Sequence, residues 1–259
     1  MTGRRFSGET TGIGSLPHTS VEAALVYSFA HDIPFLPQLP TGAPEELMLA
    51  LATHPSIEPR ERAWHPFLEA LARTRPAVAK LQLAGPVTLA RYLRFDDLKL
   101  LGAKARFQIH AVARLGITPM LFLDEPGLGE GPLEPLGALL DELKAAGAVT
   151  GVHCCGQASW AQLLALPSLD IVSFDVPLSW AALMPVAEAF IERGGTLALG
   201  LDDAFEPPVP LGSVLHTASC GLARASLAEA NRKLSVIRGQ RRRSSPSGSR
   251  DGVQKTTRG

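Results

Sequence analysis

The chain has 259 residues, of which 46% are hydrophobic and 19% are charged, and its formal net charge at pH 7 is zero. This composition allows a sizeable core and excludes a globally disordered chain. Residues 239–259 contain six Lys or Arg and one Asp, which leaves residues 1–238 with 19 basic and 24 acidic side chains. The body therefore lacks the basic excess of a nucleic-acid-binding domain.

Three cysteines in a chain of this length do not form a disulfide framework, and two of them are adjacent. That arrangement suits metal or redox chemistry in a reducing compartment. No apolar leader follows Met1, and no run approaches the ~20 apolar residues that a membrane span needs. We expect a soluble cytoplasmic protein that binds neither membrane nor nucleic acid.

Short apolar runs predict eight β-strands, and amphipathic stretches between most of them predict helices. The strands are expected near Thr11–Ser15, Ile33–Gln38, Ala77–Leu83, Thr118–Asp124, Ala148–His153, Leu169–Asp175, Thr196–Leu201 and Ser213–Thr217. The helices are expected at Val21–Ala30 (after Ser20 as N-cap), Leu98–Leu115, Leu139–Ala146, Trp160–Leu166, Trp180–Arg193 and Ser226–Ile237.

Continuously apolar strands alternating with helices predict a parallel sheet that is covered on both faces. Eight such units in about 240 residues fit a TIM (β/α)8 barrel, and a doubly wound open sheet is the alternative that the pattern leaves open. Three prolines between Leu201 and Ser213 argue against a helix there, so the barrel is expected to lack the helix after its seventh strand. Residues 1–238 form the predicted single catalytic domain, and 239–259 form a predicted disordered basic tail.

His153, Cys154 and Cys155 end the fifth predicted strand, and Cys220 follows the eighth. Side chains two apart in a strand share a face, so His153 and Cys155 point together and Cys154 points away. In a parallel barrel, strand ends and the loops that follow them meet at one mouth, which Cys220 can also reach. One imidazole and two thiols predict a zinc site with an open fourth position. Three unrelated buried core residues are the alternative.

Polar side chains also end other predicted strands. Asp124 and Glu125 are candidates for binding a substrate ammonium or for acid–base catalysis, with capping of the next helix as the alternative. Asp175 is a candidate oxygen ligand or a group that supports a ligand. Ser15 and His18, in the segment Gly12–His18 that ends the first predicted strand, are candidates for binding a substrate carboxylate.

Five motifs in this order resemble the catalytic barrel of cobalamin-independent methionine synthase, and most closely the short, single-barrel members of that family. They are Gly14-Ser15-Leu16-Pro17, Gly85-Pro86-Val87-Thr88, Asp124-Glu125-Pro126, His153-x-Cys155 and Ser219-Cys220-Gly221. The resemblance runs from about Thr11 to Ile237. The wider group includes thiol methyltransferases and uroporphyrinogen decarboxylase, all on TIM barrels.

The resemblance implies zinc-dependent transfer of a methyl group to a small thiol, with homocysteine as the expected acceptor. It implies His153, Cys155 and Cys220 as zinc ligands, and it places Asp175 where the family has a glutamate ligand. Ser15 and Asp124 match residues that hold the amino-acid part of the acceptor, and Glu125 is adjacent.

The chain also departs from the family. It has Leu201-Asp202-Asp203 where full-length members carry a catalytic His, and its predicted strands suffice for one barrel, whereas the folate-dependent enzymes have two. Folate, a methyl-corrinoid protein and simple methyl thioethers all fit as donor. The alternative functions are a metal-independent, decarboxylase-like lyase on the same barrel and a partly degenerate homologue that binds a thiol without catalysis.

Overall fold

A parallel seven-stranded sheet forms the centre of the computed structural model, which describes residues 5–39, 44–93, 97–126, 128–129, 131–208 and 211–244. Its strands are β1 (Ser7–Thr10), β2 (Val78–Ala84), β3 (Thr118–Asp124), β4 (Val149–Cys154), β5 (Ile171–Asp175), β6 (Thr196–Leu201) and β7 (Val214–Ala218). Their order in the sheet is β1-β7-β6-β5-β4-β3-β2. The predicted α/β class with a parallel sheet is confirmed.

The segment Ile33–Gln38 joins the two edges of this sheet, although it is not a regular strand. On one side, the Ile33 amide donates to the carbonyl of Thr10 in β1 at 3.0 Å. On the other, the Lys80 amide in β2 donates to the carbonyl of Pro34 at 2.8 Å. Pro34 and Pro37 have no N–H to donate, which explains why the predicted second strand forms single bridges instead of a ladder.

The first predicted strand is misplaced, since β1 ends at Thr10 and residues 11–15 follow it without a ladder. Glycines at 12 and 14 interrupt this stretch, and Gly14 has a φ of 152°. The stretch touches the sheet at Thr11, whose amide donates to the His216 carbonyl in β7 at 3.0 Å, and Ser15 forms a single bridge with Gln38. The remaining predicted strands correspond to β2–β7, with ends that differ by one or two residues.

Helices lie between the strands and cover the outside of the sheet. They are α1 (Val21–Phe29), α2 (Pro44–Thr53), α3 (Trp64–Thr74), α4 (Pro86–Leu93), α5 (Leu98–Ala113), α6 (Glu134–Ala145), α7 (Trp160–Leu164), α8 (Val176–Leu183), α9 (Glu188–Glu192) and α10 (Leu227–Ser244). The Ser20 hydroxyl caps α1 as predicted, accepting from the Ala23 amide at 3.3 Å. As expected from the prolines, residues 202–208 and 211–213 contain no helix.

One helix prediction and the predicted start of the disordered tail need correction. The stretch predicted as one helix at Trp180–Arg193 is divided into α8, a 3-10 turn at Met184–Val186 and α9, because Pro185 cannot continue an α-helical hydrogen-bond ladder. The predicted disordered tail begins too early, because α10 continues through Ser244. Gln240 in this part is buried and donates to the Phe205 carbonyl, and Arg241 pairs with Asp32. Residues 245–259 lie outside the described residues.

The largest apolar cluster fills the space between the sheet and the helices, and a smaller one, which includes Met120, Phe122 and Ile171, fills the inside of the curved sheet. Residues paired across neighbouring parallel strands point to the same side. Asp124, His153 and Ser173 are paired in this way along β3, β4 and β5. In the described part of the chain, no helix has both the length and the hydrophobicity needed to cross a bilayer.

Candidate metal centre

One imidazole and two thiols converge at the carboxyl ends of β4 and β7. His153 lies in β4, Cys155 directly follows that strand, and Cys220 lies in the loop after β7. One potential ligand atom from each of the three residues lies within 4.8 Å of the other two. Side chains alternate between the two faces of a strand, which explains why Cys155 joins the cluster and Cys154 does not. Cys154 is buried in the core on the other face.

His153 presents one ring nitrogen to this cluster and uses the other to fix its orientation. Its Nδ1 lies 3.0 Å from the Ser173 hydroxyl, while its Nε2 is buried and has no hydrogen-bond partner among the described residues. An Nδ1–H that donates to Ser173 leaves Nε2 with a lone pair. This buried, unpaired imidazole nitrogen and the two neighbouring sulfurs together form a set of ligand atoms that fits a zinc ion.

The two thiols have unequal acidities because they lie close together. The neighbouring Cys155 thiol and the His153 ring lower the pKa of Cys220, while the Cys220 thiolate and burial raise the pKa of Cys155. Cys220 is exposed and Cys155 is half-buried, so solvent reaches the cluster from the Cys220 side. Beside Cys220, a depression of about 220 Å³ opens, lined also by Arg224, Glu229 and Lys233.

Asp124 ends β3 next to the cluster. It is paired in register with His153, and its Oδ1 is buried without a hydrogen-bond partner among the described residues. Burial raises the pKa of Asp124 to about 6, although the charges of Lys80 and His153 act in the opposite direction. A buried, unpaired acceptor of this kind is suited to a donor group on a bound ligand.

The sequence reasoning missed Lys80, a fully buried lysine in β2. Its Nζ donates to the Ile13 carbonyl at 2.7 Å and lies 4.6 Å from the centroid of the Phe122 ring. Burial lowers its pKa to about 8, and the charge of Asp124 opposes this effect. A lysine within the apolar run Val78–Ala84 was the available signal, because lysine is rarely buried without a partner.

Glu125, a predicted catalytic residue, binds the backbone at the start of α4. Its two carboxylate oxygens accept from the amides of Val87 and Thr88, at 3.0 and 2.7 Å, in the first turn of α4. Both hydrogen bonds lie at the positive end of the helix dipole. Burial raises the pKa of Glu125 to about 7. The capping alternative concerned the next helix along the chain, whereas Glu125 binds α4, which precedes β3.

Asp175, predicted as an oxygen ligand or a group that supports a ligand, caps α8. Its Oδ1 accepts from the Leu178 amide at 3.1 Å, and its φ and ψ are extended, as in other N-cap residues. Among the described residues, the group of ligand atoms contains His153, Cys155 and Cys220 but not Asp175. The carboxylate at this strand end is therefore used in starting a helix.

Ser15, one of the two predicted carboxylate-binding residues, lies beside the loop that carries Cys220. The Ser15 carbonyl accepts from the Leu222 amide at 2.8 Å, and a Cβ added at Gly221 would lie 2.1 Å from the Ser15 hydroxyl oxygen. His18 packs instead against Tyr27, with ring centroids 5.3 Å apart, and its buried Nδ1 has no partner among the described residues.

Fold and site together define an α/β protein with a parallel sheet and a His–Cys–Cys cluster at the carboxyl ends of its strands. No protein-family model and no curated protein matches the chain. One similar solved structure is D-psicose 3-epimerase with D-tagatose from Clostridium cellulolyticum H10. It is 11% identical, with a TM-score of 0.37, and the alignment covers 74% of this chain and 96% of that one. So distant a likeness carries no argument about fold or activity.

Proposed function

We propose that this protein is a zinc-dependent methyltransferase that transfers a methyl group to a small thiol, with homocysteine as the expected acceptor. The observation that carries the proposal is the convergence of His153, Cys155 and Cys220, with the buried Nε2 of His153 unpaired among the described residues. The five motifs that resemble cobalamin-independent methionine synthase supply the reaction class.

The proposal treats the curved sheet as a TIM-type (β/α)8 barrel in which Ile33–Gln38 takes the place of the second strand. The hydrogen bonds of this segment to β1 and to β2 support that view. In such barrels, catalytic groups lie at the carboxyl ends of the strands, where the His–Cys–Cys cluster is found.

His153, Cys155 and Cys220 would hold the zinc ion. Zinc bound there would deprotonate a coordinating substrate thiol, which in the free form has a pKa of about 8.5 and is mostly protonated at pH 7. The Ser173 hydroxyl would accept from Nδ1–H of His153 and so hold the ring in the tautomer that leaves Nε2 free for the metal. Cys154 takes no part, since it lies in the core and burial raises its pKa to about 11.

Asp124 and Ser15 would orient the acceptor. The unpaired Oδ1 of Asp124 can accept from the ammonium group of an amino acid, and the Ser15 hydroxyl, beside the loop that carries Cys220, can donate to its carboxylate. The acceptor sulfur then forms a bond to the methyl carbon as the bond from that carbon to the donor breaks, and the electron pair of that bond leaves with the donor. Fixed orientation of this kind supplies several kcal/mol of rate acceleration.

Zinc content tests the ligand set. We expect about one zinc per chain in protein purified under reducing conditions, and loss of that zinc in Cys155→Ser and Cys220→Ser. Cys154→Ser is the matched control, because it makes the same chemical change at the adjacent residue on the other face, and it should keep its zinc. Wild-type protein without zinc, or equal loss in all three variants, contradicts the assignment.

Methyl transfer tests the reaction. Zinc-loaded protein is incubated with homocysteine and, in parallel, with a labelled methyl-folate, a methyl-corrinoid protein and a methyl thioether. Label in methionine, lost in Asp124→Asn, supports the proposal. Tight binding of homocysteine without transfer from any of the three donors favours the thiol-binding alternative, which the absence of a histidine at Leu201-Asp202-Asp203 motivates. Decarboxylase activity in zinc-free protein favours the lyase.

A further inference from the structure

Cys220 lies on a loop, sixty-five positions beyond Cys155, yet its sulfur meets the other two ligand groups. We propose that Asp202 and Ser219 act as a clamp that holds this loop against the sheet and so positions Cys220 for metal binding. The inference rests on the ligand set of the proposed function and adds two positioning residues to it.

The clamp is the contact between Asp202 and Ser219, and Lys233 supports it by binding the same carboxylate oxygen. The Ser219 hydroxyl donates to Oδ1 of Asp202 at 2.5 Å, and the ammonium group of Lys233 in α10 pairs with the same oxygen. Ser219 and Lys233 are both buried. Asp202 directly follows β6, so this contact ties the loop after β7 to the end of β6 and to α10.

The backbone of the loop is also close to β6. A Cβ added at Gly200 would lie 2.8 Å from the Cα of Ser219, a distance that real Cβ contacts do not show. On the other side of Cys220, the Leu222 amide donates to the Ser15 carbonyl at 2.8 Å. Cys220 is thus fixed on both sides, at Ser219 by the clamp and at Leu222 by the segment that follows β1.

A clamp of this kind raises metal affinity by pre-organisation. Without it, metal binding must also immobilise the loop, which costs conformational free energy. Replacing groups that orient metal ligands typically lowers metal affinity by about 10- to 100-fold. The predicted effect falls on metal binding rather than on the chemistry, since neither Asp202 nor Ser219 belongs to the group of ligand atoms.

The test is the zinc affinity of Asp202→Ala, Ser219→Ala and their double variant, measured by competition with a chromophoric chelator. Asp203→Ala is the matched control, because Asp203 is adjacent and its side chain is 86% exposed, pairing only on the surface with Arg232. We expect each clamp variant to lose about tenfold or more in affinity. We expect the control to change less than twofold.

Two further measurements separate positioning from general destabilisation. The double variant should bind zinc about as weakly as Asp202→Ala alone, because both substitutions remove the same contact. With Co²⁺ as probe, the sulfur-to-metal absorption per bound ion should fall toward that of Cys220→Ser. Circular dichroism and thermal melting of the metal-free proteins monitor folding. If Asp202→Ala does not fold, Ser219→Ala, which deletes one hydroxyl, carries the test.

If Ser219→Ala binds zinc with wild-type affinity, or if Asp203→Ala loses as much zinc affinity as the clamp variants, the clamp proposal is refuted. The proposed zinc site would stand in either case. Losses that add fully in the double variant also refute the clamp proposal. Failure of the wild-type protein to bind zinc would instead overturn the ligand set, and the clamp with it.

Discussion

Adding one methyl group at Gly200 should destabilise the protein and weaken its metal site, whereas the same addition at Gly239 should stabilise the protein. A Cβ at Gly200 would lie 2.5 Å from the Phe174 carbonyl oxygen and 2.8 Å from the Ser219 Cα, both short of the 3.4 Å at which ordinary contacts begin. Both neighbours are backbone atoms, so neither can turn away. A Cβ at Gly239, within α10, would meet nothing within 4 Å.

Overpacking of this kind costs about 1–3 kcal/mol, and backbone neighbours place Gly200→Ala at the upper end of that range. Replacing a glycine by alanine inside a helix gains about 0.5–1 kcal/mol. Urea unfolding of the metal-free variants should therefore separate Gly200→Ala from Gly239→Ala by roughly 3–4 kcal/mol, with the wild type between them.

The zinc affinity of the same two variants completes the test. Relief of the overlap at Gly200 requires the Ser219 loop to move away from β6, which carries Cys220 with it, so Gly200→Ala should lose affinity as well as stability. If Gly200→Ala unfolds at the wild-type urea concentration and binds zinc normally, the loop does not lie against β6 and the reasoning is refuted.

Two predictions concern the dependence of stability on pH, each compared with a variant that cannot titrate. Burial lowers the pKa of His31 to about 4, so the unfolded chain binds a proton that the folded chain does not. Stability should therefore fall by up to about 3 kcal/mol as the pH drops from about 6.5 to about 4, relative to His31→Gln. Burial lowers the pKa of Lys80 to about 8, so stability should rise by a similar amount between about pH 8 and 10.5, relative to Lys80→Met. Parallel pH profiles of variant and wild type would contradict either prediction.

The predominantly apolar strands were predictable from the sequence, because a strand that is buried on both faces is written as a continuous run of apolar residues. Ile33–Gln38 was harder, since it is apolar enough for a strand but carries Pro34 and Pro37, and these leave only single bridges. Pro185 is a helix-breaking residue that the sequence displays, but the helical periodicity on both sides of it favoured a single continuous helix. The structure has a 3-10 turn at that point.

The positions of the site residues were predictable where the alternation of side chains along a strand decides which way they point. They were not predictable where the course of a loop decides it. His153 and Cys155 share a face because they are two residues apart, whereas the position of Cys220 depends on Asp202 and Ser219, whose contact joins separate strands. A carboxylate at a strand end has the same appearance in sequence whether it binds a ligand or caps a helix. Only the hydrogen bonds to Val87 and Thr88 reveal that Glu125 caps α4.

The pairing of β1 with β7 has a consequence for how the protein is made. Thr10 lies beside His216 in the sheet, so the first strand has no partner on that side until more than two hundred further residues have been synthesised. Contacts so distant in sequence form slowly. Metal uptake at a site that needs Cys220 would then mark the end of folding, and a nascent chain that stalls before β7 would expose an unpaired strand edge and an incomplete set of thiols.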